Sequence, residues 1–166
     1  MQDLKDEIIT LLPSLRGFAR SLTRNDTEAE DLMQETLVKA IGSIHQFTPG
    51  TNLRAWLFTI QRNTFYTAYH RRRREPQMDA EAVDGLTSQP SQEWSLRLHK
   101  LDEALHQLPA EQREALMLVA GAGVTYEEAA EICECALGTI KSRVNRARCR
   151  LLEMLEDEAV PEVSGD

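Results

Sequence analysis

The stretch from Thr125 to Arg150 constrains this chain more than any other. Thr125 and Glu128 have capping-box spacing, in which a hydroxyl and a carboxylate each satisfy a backbone N–H at a helix start. An apolar run through Ala129, Ala130 and Ile132 follows, then a turn at Glu134–Gly138, with Thr139 placed to cap another helix. In that last helix Ile140, Val144, Ala147 and Leu151 recur at helical spacing and predict one buried seam. Off the seam lie Lys141, Ser142, Arg143, Asn145, Arg146, Arg148 and Arg150, with no acid among them. A short capped helix, a tight turn and a basic helix of one sign describe a helix-turn-helix, whose second helix enters the DNA major groove. Arg and Lys read guanine edges there, Asn reads adenine, and the remaining cations meet phosphates. The alternative is a solvated basic face on a structural helix. One position departs from the pattern: Glu134 stands where such a turn favours a left-handed Gly, at about 1 kcal/mol if the geometry is kept.

Helical periodicity runs through the rest of the chain, without a convincing strand. Leu4, Ile8, Leu11, Leu15, Phe18 and Leu22 form one stripe, with Pro13 as a kink or restart. Thr27 and Glu30 have capping-box spacing for a helix to about Ile41, with Leu32, Met33, Leu37, Ala40 and Ile41 facing its core. Residues 42–51 read as a loop, and a long helix from Asn52 to Arg74 buries Leu53, Trp56, Leu57, Ile60 and Ala68. An acidic segment containing Pro, Gly and Ser reads as a flexible linker. Periodicity resumes at Trp94, with Leu98, Leu101, Leu105 and Leu108 on one face, and Pro109 suits the first turn of the next helix. The expected fold is all-α: two small helical domains, 1–75 and 94–158, joined by a linker at 76–93 and followed by an acidic tail at 159–166.

The net charge of −8 argues against a nucleic-acid partner until its distribution is seen. Basic residues concentrate at Arg71–Arg74 and Lys141–Arg150, and local fields count because charges beyond about 10 Å are screened. Along the long helix Phe58, Arg62, Phe65, Tyr66 and Tyr69 lead into the arginine run, opposite the seam. Rings interleaved with cations suit an unpaired strand, each stacked base being worth roughly 1–3 kcal/mol; the other reading makes some of these rings core. On the acidic helix Asp31 and Glu35 lie one turn apart beside Gln34, either as a solvated face or as a protein-docking surface.

Other chemistries find little support. Cys133, Cys135 and Cys149 lack the spaced ligand pairs of a zinc site, and the four histidines lie apart from any nucleophile or Gly-rich phosphate loop. Neither catalysis by this chain, a metal nor a cofactor is expected. The apolar runs are too short to span a membrane, and the start, MQDLKDEIITLLP, is acidic where a secretory leader is basic; the expected location is the cytoplasm.

Four segments together resemble the extracytoplasmic-function (ECF) sigma factors of bacterial RNA polymerase. They are Ala29-Glu-Asp-Leu-Met-Gln-Glu-Thr, Arg54-Ala-Trp-Leu-Phe-Thr-Ile-Gln-Arg-Asn, Leu108-Pro-Ala-Glu-Gln-Arg-Glu and Gly138-Thr-Ile-Lys-Ser-Arg-Val-Asn-Arg-Ala-Arg, in the family's order. The resemblance implies a sigma-2 helical bundle and a sigma-4 helix-turn-helix. It makes Asp31, Gln34 and Glu35 contacts to the β′ clamp helices of the polymerase core, with the β flap as a further core partner. It assigns −10 recognition and melting to the Phe47–Arg74 region, at Asn63, Tyr66 and Tyr69, which Arg62, Arg71 and Arg72 join as candidates on the aromatic and cationic pattern. It assigns −35 promoter DNA to Lys141, Ser142, Asn145 and Arg146, with Arg143 a further candidate from the basic face. Segments of the chain are also similar to the general-stress-response branch, whose members a small anti-sigma protein holds inactive. Competing readings are a sigma mimic that sequesters an anti-sigma protein and a conventional helix-turn-helix regulator. A free sigma factor with independently tethered units is expected to bind promoter DNA weakly, and docking on polymerase to fix their spacing.

Overall fold

Helix α1 (Gln2–Leu22) runs through Pro13 as one element, burying Leu11, Leu15, Phe18 and Leu22 while Pro13 stays exposed. The computed structural model describes residues 2–75 and 92–159. Helix α2 (Asp26–Gly42) begins earlier than the Thr27 signature implied, because Asn25 provides the cap: its Oδ1 accepts from the Glu28 N–H at 2.8 Å. Leu32, Met33 and Ala40 are buried as expected, but Leu37 is half-buried and Ile41 is 66% exposed. The expected loop carries a 3₁₀ turn at Ile44–Gln46, after which Asn52 caps α3 (Leu53–Arg74) by accepting from the Ala55 N–H.

Along α3 the burial pattern departs from a single seam. Leu53 and Leu57 are buried and Trp56, Ile60 and Ala68 half-buried, yet Phe58, Gln61 and Thr64 are buried too. The cause is that α3 has neighbours on more than one side, α1 and α2 and also α6. Phe58 is therefore a core ring, fully buried edge-on against Phe18 at 5.3 Å, and not a surface ring for stacking. Gln61 ties α3 to α1 by donating from Nε2 to the Leu15 carbonyl at 3.0 Å.

The second unit comprises α4 (Gln92–Gln107), α5 (Ala110–Leu116), α6 (Tyr126–Ile132) and α7 (Leu137–Ala159). Helix α4 starts two residues before the expected point, and the side chain of Trp94 lies outside the described residues. Its leucine stripe is buried only toward its end: Leu98 and Leu101 are exposed, Leu105 is half-buried against the core, and Ala104 and Leu108 are buried. Pro109 is the N-cap residue of α5 instead of lying in its first turn. Helix α5 runs on as a π-helical turn, Met117–Gly121, closed by the Ala122 N–H on the Met117 carbonyl at 2.8 Å. The capping box forms as read, Thr125 and Glu128 each accepting the other's backbone N–H. Helix α7 starts at Leu137, so Thr139 lies in its first turn and is not its cap. Ile140, Val144 and Ala147 are buried and Leu151 half-buried.

The two units are not independent bodies. One buried cluster runs from Leu15, Phe18 and Phe58 to Leu118, Ile132 and Val144, with α1 against α5 and its π turn, and α3 against α6. The expected linker residues 76–91 and tail residues 160–166 lie outside the described residues. Among the described residues no strand occurs, and no helix is long and apolar enough to cross a membrane.

Candidate nucleic-acid and polymerase interfaces

The turn between α6 and α7 sets how α7 is presented. Glu134 sits at φ 53°; its N–H bonds the Glu131 carbonyl and the Cys135 N–H bonds the Ala130 carbonyl. These are the paired bonds of a Schellman motif, with glutamate in the left-handed position usually held by glycine. The helix-turn-helix thus keeps its geometry at the strain anticipated from the sequence. Glu134→Gly is expected to raise stability by about 1 kcal/mol, read as a higher denaturation midpoint with an unchanged slope.

Beyond this turn the buried seam fixes the rotation of α7. Lys141, Ser142, Asn145, Arg146, Arg148 and Arg150 are all exposed. Arg143 is not free in the same way: it is half-buried, pairs with Glu111 at 3.4 Å and faces the Cys135 sulfur at 3.8 Å. The outer face of α7 therefore offers cations, a hydroxyl and an amide on a rigid rod, the set needed for base edges and phosphates. Of the three free cysteines, Cys133 is buried in the core, Cys135 is half-buried and Cys149 is exposed. Burial, then the nearby Glu114 charge, pushes the Cys133 thiol up to about 12, and a neutral thiol is inert.

Helix α3 divides the −10 candidates between two faces. Asn63, Tyr69, Arg71 and Arg72 are exposed; Tyr69 stacks on Phe65 with 6.1 Å between ring centres, under the Arg73 guanidinium at 5.6 Å. This ring pair lines a shallow depression shared with Asp31 and Glu35 of α2, so two groups of candidates separated in sequence meet at one edge of the bundle. Arg72 lies 3.7 Å from Glu28, and Glu35 pairs with Lys39 one turn on, while Gln34 and Asp31 face outward. Exposed pairs of this kind contribute at most about 1 kcal/mol and yield easily to a partner.

Arg62 and Tyr66 turn the other way, into the second unit. Arg62 Nε donates to Glu114 Oε1, Tyr66 Oη donates to Glu114 Oε2 at 3.2 Å, and the guanidinium lies 4.7 Å from the Tyr66 ring centre. Burial opposes the Arg62 charge, but Glu114 more than offsets it and its pKa stands above the ordinary value. Burial and then Glu114 push the Tyr66 phenol up to about 12. Around this centre Arg113 Nε donates to the Ser21 carbonyl at 2.7 Å, His106 Nε2 lies 3.0 Å from the Thr23 carbonyl, and Arg54 reaches the Ala122 carbonyl at 3.2 Å. Sequence reasoning missed Glu114 and Arg113. Both residues lie in the segment Leu108-Pro-Ala-Glu-Gln-Arg-Glu that carried the resemblance, and Glu114 is an acid directly before Ala115 and Leu116, on what becomes the inward side of α5.

Comparison with known proteins agrees with this geometry. Residues 8–75 match the family model for Sigma-70 region 2, and residues 98–151 match that for Sigma-70, region 4. These two regions, in this order, define a transcription initiation factor of the sigma-70 class. The chain is 52% identical over 153 residues to ECF RNA polymerase sigma factor EcfG of Rhodopseudomonas palustris, covering 92% of this chain and 84% of the relative. It is 36% identical over 135 residues to ECF RNA polymerase sigma factor SigC of Mycobacterium tuberculosis, covering 78% and 71%. The structure of sigma factor RpoE in complex with the anti-sigma factor NepR from Bartonella quintana superimposes with a TM-score of 0.83 at 48% identity, covering 94% of this chain and 98% of that one. The chain belongs to the ECF sigma factors.

Proposed function

We propose that this sigma factor directs core RNA polymerase to two-element promoters through three groups of residues, two of which share one edge of the bundle. Asp31, Gln34 and Glu35 on α2 meet the β′ clamp helices. Asn63, Tyr69, Arg71 and Arg72, joined by Arg62 and Tyr66, hold the melted −10 strand by stacking and phosphate contact. Lys141, Ser142, Asn145 and Arg146, with Arg143 bracing the face, read the −35 element in the major groove. The working division is 1–75 for core docking and the −10 element, 76–93 as connection, 94–158 for the −35 element and 159–166 as acidic tail. The protein acts in the cytoplasm and leaves catalysis to the polymerase. Its relatives favour control by a small anti-sigma protein in the general stress response. The observation that carries the reading is the exposed face of α7 from Lys141 to Arg150, which is cationic without an acid in a chain of net charge −8.

The test is run-off transcription on a promoter library, with core polymerase alone and with this protein added. Transcripts that start downstream of a shared two-element motif are the expected result. Arg146→Ala is expected to cut the contribution of the −35 element about tenfold, the value of one base-edge contact. A library that yields no new transcripts with folded protein favours a sigma mimic or a conventional regulator.

A further inference from the structure

Glu114 is among the most buried side chains of the molecule, at 2% exposure, and α3 of the other unit binds both its oxygens. A carboxylate in such a place is stable only while its partners stay, since removing them leaves a charge without water. The partners are a guanidinium and a hydroxyl converging on two anionic oxygens, the arrangement by which proteins hold a nucleic-acid phosphate. Arg62 and Tyr66 therefore cannot serve Glu114 and a DNA strand at once.

The joint around this centre combines the apolar packing of α1 against α5 and its π turn with polar ties. Arg113 to the Ser21 carbonyl, Arg54 to the Ala122 carbonyl and Asn52 to Glu128 are polar ties whose groups water can satisfy after separation. We infer that Glu114 is an internal stand-in for a DNA phosphate, which withholds Arg62 and Tyr66 from nucleic acid until the two units part. This rests on the reading of α3 as the −10 face. It adds a switch that lies within the chain, separate from any inhibitor protein.

The experiment uses the full chain and reads two quantities: the radius of gyration from small-angle scattering, and the affinity for a fluorescein-labelled single-stranded DNA by anisotropy. Glu114→Gln keeps the shape of the side chain and removes its charge. It is expected to enlarge the particle and tighten DNA binding about tenfold. Arg62→Glu combined with Glu114→Arg rebuilds the pair in reverse; it is expected to return the compact profile without the gain in affinity. Glu114→Asp keeps the charge but not the reach, and serves if the glutamine variant loses helix content by circular dichroism; a smaller shift in both readouts is expected. Unchanged size and affinity in Glu114→Gln would overturn the switch. An enlarged particle with unchanged affinity would overturn the nucleic-acid role of Arg62 and Tyr66, and with it the phosphate stand-in, while leaving the −35 reading intact.

Discussion

Lys141→Ala combined with Arg146→Ala is expected to lower run-off transcription from a cognate promoter about 100-fold while leaving the unfolding midpoint nearly unchanged. The two effects separate because of where the residues stand. Both side chains are exposed on the outer face of α7, and the stability of that helix comes from Ile140, Val144 and Ala147 on the opposite side. Surface changes away from the seam move stability by about 0.5 kcal/mol or less. A base-edge contact, by contrast, is worth roughly 1–3 kcal/mol, and two well-separated contacts add. Matched measurements on a promoter with a scrambled −35 element should show little further loss from the double substitution. Equal losses on both templates would mean that the cations act only as a general positive field.

Phe58→Ala is expected to destabilise the protein by about 3–5 kcal/mol, a large part of the roughly 5–15 kcal/mol that holds such a chain folded. Phe58 is fully buried and meets Phe18 edge-to-face, so truncation opens a cavity between α1 and α3 that their backbones cannot close. Chemical denaturation followed by circular dichroism measures it directly. The result also decides between the two roles the sequence allowed this ring. A base-stacking ring would be lost with almost no change in stability and a selective loss of promoter melting. Tyr69→Ala, at an exposed ring, is the counterpart expected to behave in that second way.

What the sequence revealed and what it hid follow from how local each signal is. The seam of α7, the capping box at Thr125 and the basic outer face are properties of consecutive residues, and periodicity was enough to find them. The start of α2 was misjudged because Asn25 and Thr27 are both good caps, and only backbone geometry chooses between them. Helix α3 defeated a single-seam reading because it meets neighbours on more than one side, which blurs its amphipathic pattern. Leu98 and Leu101 looked like core by spacing but end at the surface. Least accessible of all was the centre at Glu114. Its partners lie 48 and 52 positions away along the chain, and local patterning carries no information about a pairing that remote.

The shared core has a consequence for how the polypeptide can be divided. Since α5, its π turn and α6 rest on α1 and α3 through buried side chains as well as polar ties, the two halves touch through more than the peptide that connects them. A chain cut between 76 and 91 becomes a split protein. Its pieces must find each other in solution, so their association, intramolecular in the intact chain, becomes concentration-dependent. The peptide connection then acts as a concentrator, and two halves made separately offer a sigma factor whose assembly is set by dose.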